Sequence, residues 1–191
     1  KEKILELDPD IITGWSLIDF DLAILEKKFR ENNVEFRLGR DNSKCKLKIE
    51  ENFVIDSKAD FPGRMVLDGL FLLRNSFIKL DDYKLDTAAK IFLKDKKLLS
   101  GHDRHKEIDR YYKEDQQKLV DYNLKDSELV YRILYESTAL DLTIQRSLLT
   151  GMPLDRVSAS IASLDSLYIR EARKRKIVVP TGKYGVRGKP I

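Results

Sequence analysis

The sequence predicts a mixed α/β fold in which strands and helices alternate early and helices dominate late. Two short apolar runs, residues 10–15 and 63–68, are typical of buried strands, and the second half carries repeated apolar residues at helical spacing. The 191 residues are 42% hydrophobic and 36% charged, which is enough apolar material for a core. This length is compatible with one domain or two small ones.

The first half begins with a strand–helix unit and continues into a hairpin. Residues 10–15 form the predicted strand, which ends near a glycine, and residues 21–32 form a helix with apolar residues at i, i+3 and i+7. Apolar residues alternate with lysines over residues 45–49, and a second apolar run occupies residues 53–55. The turn-like residues 50–52 between these runs predict a β-hairpin.

The second half is predicted to be helical up to an extended tail. The strand at residues 63–68 is followed by predicted helices at residues 69–77, 84–92, 106–119, 124–134 and 154–176. In the helix at residues 124–134, Leu124, Val130, Ile133 and Leu134 are predicted to face inward. In the last helix, Val157, Ile161, Leu164 and Tyr168 recur at i, i+4, i+7 and i+11. Residues 151–153 form a joint before the last helix, and residues 180–191 are predicted to be extended because they hold three glycines and two prolines.

Composition excludes several classes of protein. No apolar stretch approaches the roughly 18–20 residues that a membrane span needs, and residues 1–8 are too charged for a signal peptide. The single cysteine, Cys45, excludes an internal disulfide and a cysteine-based zinc site. We therefore expect a cytoplasmic protein without a membrane partner, in which any metal is held mainly by carboxylates.

Positive charge is concentrated at the end of the chain. The net charge is +4, made of +7 from residue 170 onward and −3 before it. Such a cluster is typical of a protein that contacts a polyanion, most commonly nucleic acid. A solvated basic helix end is the alternative, because Lys and Arg also favour helix C-termini.

Two carboxylate positions are candidates for chemistry. Asp21 lies at a predicted strand-to-helix junction, where an aspartate is also a common helix N-cap. Tyr122 and Asp126 are four residues apart and therefore share one face of a helix. This spacing suits a phenol that orients water beside a metal-bound carboxylate, and it equally suits a hydrogen-bonded pair on a helix surface.

Two further groups carry weaker signals. His102 and His105 lie among charged residues and could hold a metal or belong to a solvated turn. Arg37 and Arg40 could bind phosphate or pair with neighbouring carboxylates. We find no credible Ser-His-Asp or Cys-His arrangement and no glycine-rich phosphate loop in the sequence.

Six segments of the sequence together resemble the motifs of one known family. DPDIITGWSLIDFD and YNLKDSELV resemble the second and third exonuclease motifs, and GRMVLDG the Gly-Arg strand, of the family B DNA polymerases. RLGRDNS and EIDR are similar to the bacterial members in particular, and GMPLDRVSAS resembles the helix that leads toward the polymerase palm. The segments occur in the family's order over essentially the whole chain.

The resemblance implies a ribonuclease H-like 3′→5′ proofreading exonuclease that holds two divalent cations, Mg²⁺ or Mn²⁺. It implies that Asp21 and Asp126 are metal ligands and that Tyr122 orients the attacking water. The predicted partner is DNA, as a single-stranded 3′ end and a primer–template, with a sliding clamp as a further one. The DNA-binding residues predicted on this basis, together with the basic tail, are Ser16, Phe20, Arg64, Arg173, Arg175 and Lys176.

The resemblance also divides the chain. Residues 1–150 correspond to the C-terminal part of the exonuclease domain and residues 151–191 to a helix and linker toward the palm. Ser16 stands where the family usually has Asn, and the one Asp-x-Glu of the sequence, which the first motif requires, is Asp126 to Glu128 within the third motif. We therefore expect an incomplete exonuclease fold, inactive alone, that self-associates through an exposed sheet edge.

Two other hypotheses stay open at this point. One is a non-catalytic nucleic-acid-binding module with a degenerate ribonuclease H-like fold. The other is a protein-interaction domain whose tail has no polyanion role.

Overall fold

The computed structural model describes residues 1–50, 56–94 and 104–180, without the side chains of Arg104 and His105. The fold is mixed α/β, as predicted, and helices dominate the second half. The helices are α1 Glu2–Leu7, α2 Ala23–Glu31, α3 Gly69–Arg74, α4 Leu85–Leu93, α5 Arg104–Glu114, α6 Gln116–Glu136, α7 Ala139–Thr150 and α8 Ser160–Lys174. The strands are β1 Ile11–Gly14, β2 Lys46–Lys48, β3 Lys58–Asp60 and β4 Met65–Asp68, and a π-helical segment occupies Leu17–Leu22.

The strands form two small sheets. β1 and β4 are parallel, with Ile11 opposite Met65 and Gly14 opposite Asp68, so their carboxyl ends lie side by side. β2 and β3 are antiparallel, with Leu47 opposite Ala59, whereas the second strand of the predicted hairpin, residues 53–55, lies outside the described part of the chain. Residues 51–55 lie outside the described part of the chain.

Two apolar clusters hold these elements together. The larger one joins β4, α3, α4 and α6 and contains Leu73, Leu129 and Ile133, all without solvent exposure. The other packs the π-helical segment against the β2–β3 region and includes Leu38 and Phe61. The β1–β4 pair lies between them, because Leu67 belongs to the first cluster and the neighbouring Val66 to the second.

Helix bounds differ from the predicted ones where caps and turns intervene. The helix predicted at residues 106–119 is interrupted at Asp115, whose side chain accepts from Lys118 N and caps α6. The last helix begins at Ser160 rather than at residue 154, because residues 154–158 form turns after Pro153. α1 and α7 were not predicted.

The predictions for the apolar residues of the last two predicted helices are confirmed in part. Val130, Ile133, Leu134 and Val157 are buried. The prediction was wrong for Leu124, which is 67% exposed. The apolar stripe of the last helix is largely exposed as well, with Ile161 at 78%, Leu164 at 66% and Tyr168 at 63%. Among the described residues, no helix combines the length and the apolar character that a membrane crossing requires.

Candidate functional site at the carboxyl ends of β1 and β4

The chain reverses direction sharply after β1. It passes from Gly14 through Trp15 to Ser16, which adopts a left-handed conformation with φ 54°, and enters the π-helical segment at Leu17. A π-helical turn is rare and is frequently found at functional sites. The segment carries the predicted site residues Phe20 and Asp21.

Asp68, the last residue of β4, holds this turn in place. Its Oδ1 accepts from Ser16 N at 3.1 Å and from Leu70 N at 3.0 Å, and its Oδ2 accepts from Ile18 N at 3.1 Å. The same carboxylate therefore caps α3 and ties down the start of the π-helical segment. Asp68 is only 3% exposed, and this burial raises its pKa to about 6, although the three N–H donors oppose the shift.

The backbone of Gly69 packs closely against the backbone of Gly14 at the same junction. A Cβ on Gly69 would lie 2.9 Å from the carbonyl oxygen of Gly14 and 3.5 Å from the Trp15 ring. The absence of a side chain at Gly69 thus lets α3 begin directly against the end of β1. Trp15 Nε1 donates to Tyr83 O at 3.0 Å, which anchors the indole on the other side.

Phe20 and Asp21 are both exposed on this turn. Phe20 is 62% exposed, so its ring is open to a ligand. Asp21 is partly desolvated, and this raises the pKa of its carboxyl above the usual value. The alternative of a helix N-cap is not supported, because the helical path begins at Leu17 and the residue preceding α2 is Leu22.

Tyr122 and Asp126 lie on α6, as predicted, one turn apart. Tyr122 is 7% exposed, and Oδ1 of Asp126 is closed off from solvent. The next turn of α6 contributes Leu129 and Val130 to the apolar cluster against which Trp15 packs. Trp15, which precedes the π-helical segment, thus shares a core with α6, whereas the segment itself packs in the other cluster.

The described residues do not by themselves fit a metal centre. Among residues 1–50, 56–94 and the described side chains of 104–180, no three His, Cys, Asp or Glu residues are grouped so that they could hold an ion. Asp21 and Asp126 remain predicted ligands.

Arg64, predicted to bind DNA, has a structural role instead. Its side chain is 1% exposed, and its guanidinium donates to Leu38 O at 2.9 Å and Pro9 O at 2.7 Å and pairs with Asp8 at 2.7 Å. These contacts tie the loop around Leu38 to the start of β1. The structure does not support a DNA contact by Arg64, because the guanidinium is directed into the protein.

Arg37 and Arg40 are engaged in similar ways. Arg37 pairs with Glu35 at 2.7 Å, which agrees with the predicted alternative of pairing with a neighbouring carboxylate. Arg40 pairs with Asp8 and Asp10, both at 2.8 Å, rather than with Asp41, the next residue in the sequence. The hydrogen bond from Arg40 is the largest of the effects that hold the pKa of Asp8 below its usual value.

The remaining predicted residues are placed at the surface or outside the described part. Arg173, Arg175 and Lys176 are exposed at the end of α8, as a contact with a polyanion requires. His102 and the side chain of His105 lie outside the described residues, as do residues 181–191 of the tail. Sequence reasoning missed Asp68, and the signal available was an aspartate that ends an apolar run directly before a glycine.

Comparison with known proteins identifies relatives over nearly the whole chain. The sequence model of "DNA polymerase family B, exonuclease domain" matches residues 1–88. DNA polymerase II of Escherichia coli (strain K12) is 35% identical over 176 residues, which are 91% of this chain and 22% of that protein. The DNA polymerase delta catalytic subunit of Glycine max is 29% identical over 96% of this chain and 18% of the relative.

A third relative agrees with these two. The DNA polymerase of Thermococcus sp. (strain 9oN-7) is 27% identical over 93% of this chain and 22% of the relative. The chain thus spans about a fifth of the length of these relatives. The resemblance to family B DNA polymerases is confirmed.

Proposed function

We propose that this chain, whose residues 1–88 belong to the exonuclease domain of family B DNA polymerases, supplies part of a 3′→5′ proofreading exonuclease. The observation that carries the proposal is the junction at the carboxyl ends of β1 and β4. There, a buried carboxylate fixes a π-helical turn that presents Phe20 and Asp21, and Trp15, just before that turn, packs against the apolar cluster to which α6 contributes. The proposed reaction is hydrolysis of the 3′-terminal phosphodiester of DNA.

Each residue has a role in this proposal. Asp21 and Asp126 supply two of the carboxylates that the family resemblance assigns to two divalent cations, Mg²⁺ or Mn²⁺. Such ions, when bound, stabilise charge on the reacting phosphate oxygens. Phe20 contacts the 3′-terminal nucleotide with its exposed ring, Ser16 contacts the primer strand, and Tyr122 orients water.

The partly desolvated Asp21 agrees with a cation-binding role. Burial raises the pKa of this carboxyl, so a proton competes with a cation more effectively than at a fully solvated aspartate. A divalent ion reverses this balance by favouring the charged form. Cation binding at Asp21, and with it the rate of hydrolysis, should therefore weaken as the pH falls toward the acid range.

A chimera tests the proposal. The aligned segment of the E. coli relative is replaced by this chain, and removal of 3′-terminal nucleotides from labelled single-stranded DNA is measured in Mg²⁺. Asp21→Asn and Asp126→Asn should each lower the rate at least about 100-fold, because each removes a charged ligand. The matched controls are Asp19→Asn, in the same turn, and Asp121→Asn, on the same helix.

The outcomes separate the competing hypotheses. Equal rates for the site variants and their controls would overturn the proposal and favour a non-catalytic nucleic-acid-binding module. The 191-residue chain alone is expected to show no hydrolysis, because the resemblance assigns two further ligands to an Asp-x-Glu outside the third motif. Metal-dependent hydrolysis by this chain that Asp126→Ala abolishes would contradict that expectation.

The wider setting is proposed on the same basis. The relatives are named as DNA polymerases, and we propose that this protein acts on DNA in the cytoplasm. Association with a sliding clamp and self-association through a sheet edge stay predictions. Light scattering at high protein concentration checks the second of these.

A further inference from the structure

A groove of about 600 Å³ opens between the α3–α4 connection and the start of α8. One wall carries Phe77 and Lys79, and the other carries Ser158 and Ser160. The groove shares Asn75, Arg146, Val157 and Ser158 with a smaller cavity of about 60 Å³ whose lining reaches Ile18 and Asp68. It is therefore contiguous with the structure that supports the turn after β1.

The charge of the groove is positive. Its lining includes Arg74, Lys79 and Arg146, and none of its described lining residues is acidic. Arg74 is neutralised by its ion pair with Asp56. Lys79 and Arg146 form no ion pair with any residue in the described part of the chain, so two positive charges face the groove uncompensated.

An exposed aromatic ring stands beside these charges. Phe77 is 85% exposed, and the guanidinium of Arg146 lies over its ring at 4.6 Å from the centroid. Arg146 is itself fixed by donation to Asn75 O at 2.8 Å. Phe77 also adopts a left-handed backbone conformation with φ 67°, which is unfavourable for a bulky side chain. The local structure thus holds a large apolar ring in solvent at a conformational cost.

We infer that this groove binds a short stretch of single-stranded nucleic acid, with a base stacked on Phe77 and the backbone phosphates on Lys79 and Arg146. Proteins that bind single strands without sequence preference combine a positive groove with aromatic side chains on which bases stack. A paired duplex keeps its bases stacked on one another and cannot use the ring. The site uses none of the residues assigned above to hydrolysis, and the inference stands whether or not the chain supports that reaction.

Fluorescence anisotropy with a labelled oligothymidylate and the full 191-residue chain tests the inference. Phe77→Ala and Phe77→Leu should each weaken binding at least about fivefold, because a base stacked on an aromatic ring contributes about 1 kcal/mol or more. Tyr135→Ala is the matched control, since Tyr135 is 70% exposed on α6 and lies outside the groove lining. Thermal unfolding confirms that each variant is folded.

The salt dependence tests the phosphate contact separately. Lys79→Gln should make the slope of log affinity against log salt shallower by about 0.7, the value for one phosphate on a single strand. Lys84→Gln is its control, because the side chain of Lys84 is 78% exposed, pairs with Asp82 and does not line the groove. An unlabelled duplex should compete less well than the single strand.

Three results would overturn the inference. They are equal affinities for the Phe77 variants and Tyr135→Ala, equal salt slopes for Lys79→Gln and Lys84→Gln, and equal competition by duplex and single strand. Binding would then be assigned to the basic residues from Arg170 onward. None of these results bears on the Asp21 and Asp126 variants, so failure of this inference and failure of the exonuclease proposal are distinguishable.

Discussion

The carboxyl ends of β1 and β4 bury their polar groups, whereas α8 exposes its apolar ones. At the strand ends, Asp68 is 3% exposed and accepts three backbone N–H groups. On α8, Ile161 and Tyr168 are 78% and 63% exposed although they follow a regular helical stripe. Apolar periodicity therefore predicts a helix and the face that it can bury. Whether that face is buried depends on which other elements pack against it.

Removing the Asp68 carboxylate should give the largest effect on stability. Asp68→Ala leaves the N–H groups of Ser16, Ile18 and Leu70 without their acceptor, and we expect the free energy of unfolding to fall by about 3–5 kcal/mol. Urea unfolding followed by fluorescence measures this, because Trp15 is the single tryptophan and lies beside Ser16. Asp19→Ala is the control and should change stability by less than about 0.5 kcal/mol.

The pH dependence of stability should reveal the burial of the same group. The folded pKa of Asp68 is about 6 against an ordinary value of 3.8, so the folded state binds the proton more tightly than the unfolded state. The resulting stabilisation is fully present below about pH 4 and is lost as the pH rises through 6, amounting to about 3 kcal/mol.

This contribution can be isolated by a variant that does not titrate. The difference in unfolding free energy between the wild-type chain and Asp68→Asn should shrink or reverse between pH 4 and pH 6.5 and stay constant above it. A difference that does not change with pH would mean that Asp68 keeps an ordinary pKa.

A smaller gain is expected from relieving the backbone at Ser16. Its left-handed conformation costs a non-glycine residue about 1–2 kcal/mol, and Asn tolerates that region better than Ser. Ser16→Asn should therefore raise the free energy of unfolding by about 0.5 kcal/mol, measured by thermal unfolding, and Ser16→Gly by somewhat more. Ser16→Ala keeps the unfavourable conformation and should bring no gain.

The smallest effect is expected on the exposed face of α8. Ile161→Ser should alter the free energy of unfolding by less than about 0.5 kcal/mol, because the side chain is 78% exposed and the two residues have similar helix propensity. Ile133→Ala, at a fully buried position of α6, should cost about 2–5 kcal/mol in the same urea experiment. Similar losses for the two variants would contradict the contrast between the two regions.

Sequence reasoning succeeded where the signal was local. The strands β1 and β4 are apolar runs next to glycines, and α6 buries Val130, Ile133 and Leu134 at the predicted spacing. Tyr122 and Asp126 share a helix for the same reason. The bounds shifted where a single side chain intervened, as at the Asp115 cap.

Features that depend on distant partners were missed. Asp68 binds backbone groups about 50 residues earlier in the chain, and no local pattern reports that pairing. Arg64 was predicted to contact DNA on the basis of the family resemblance, yet its guanidinium binds Asp8 and two carbonyl groups inside the fold. The π-helical turn was also missed, since its sequence has the apolar spacing of an ordinary helix.

The Asp68 carboxylate also fixes the alignment of the two parallel strands. A pair of four-residue strands has few ladder hydrogen bonds, and a slip by one residue would turn every side chain of β1 to the opposite face. Such a slip would break the bonds from Ser16 N and Ile18 N to the end of β4 together. Asp68 therefore opposes a shift in the register of β1 against β4. It thereby fixes the position of Phe20 and Asp21 relative to the sheet.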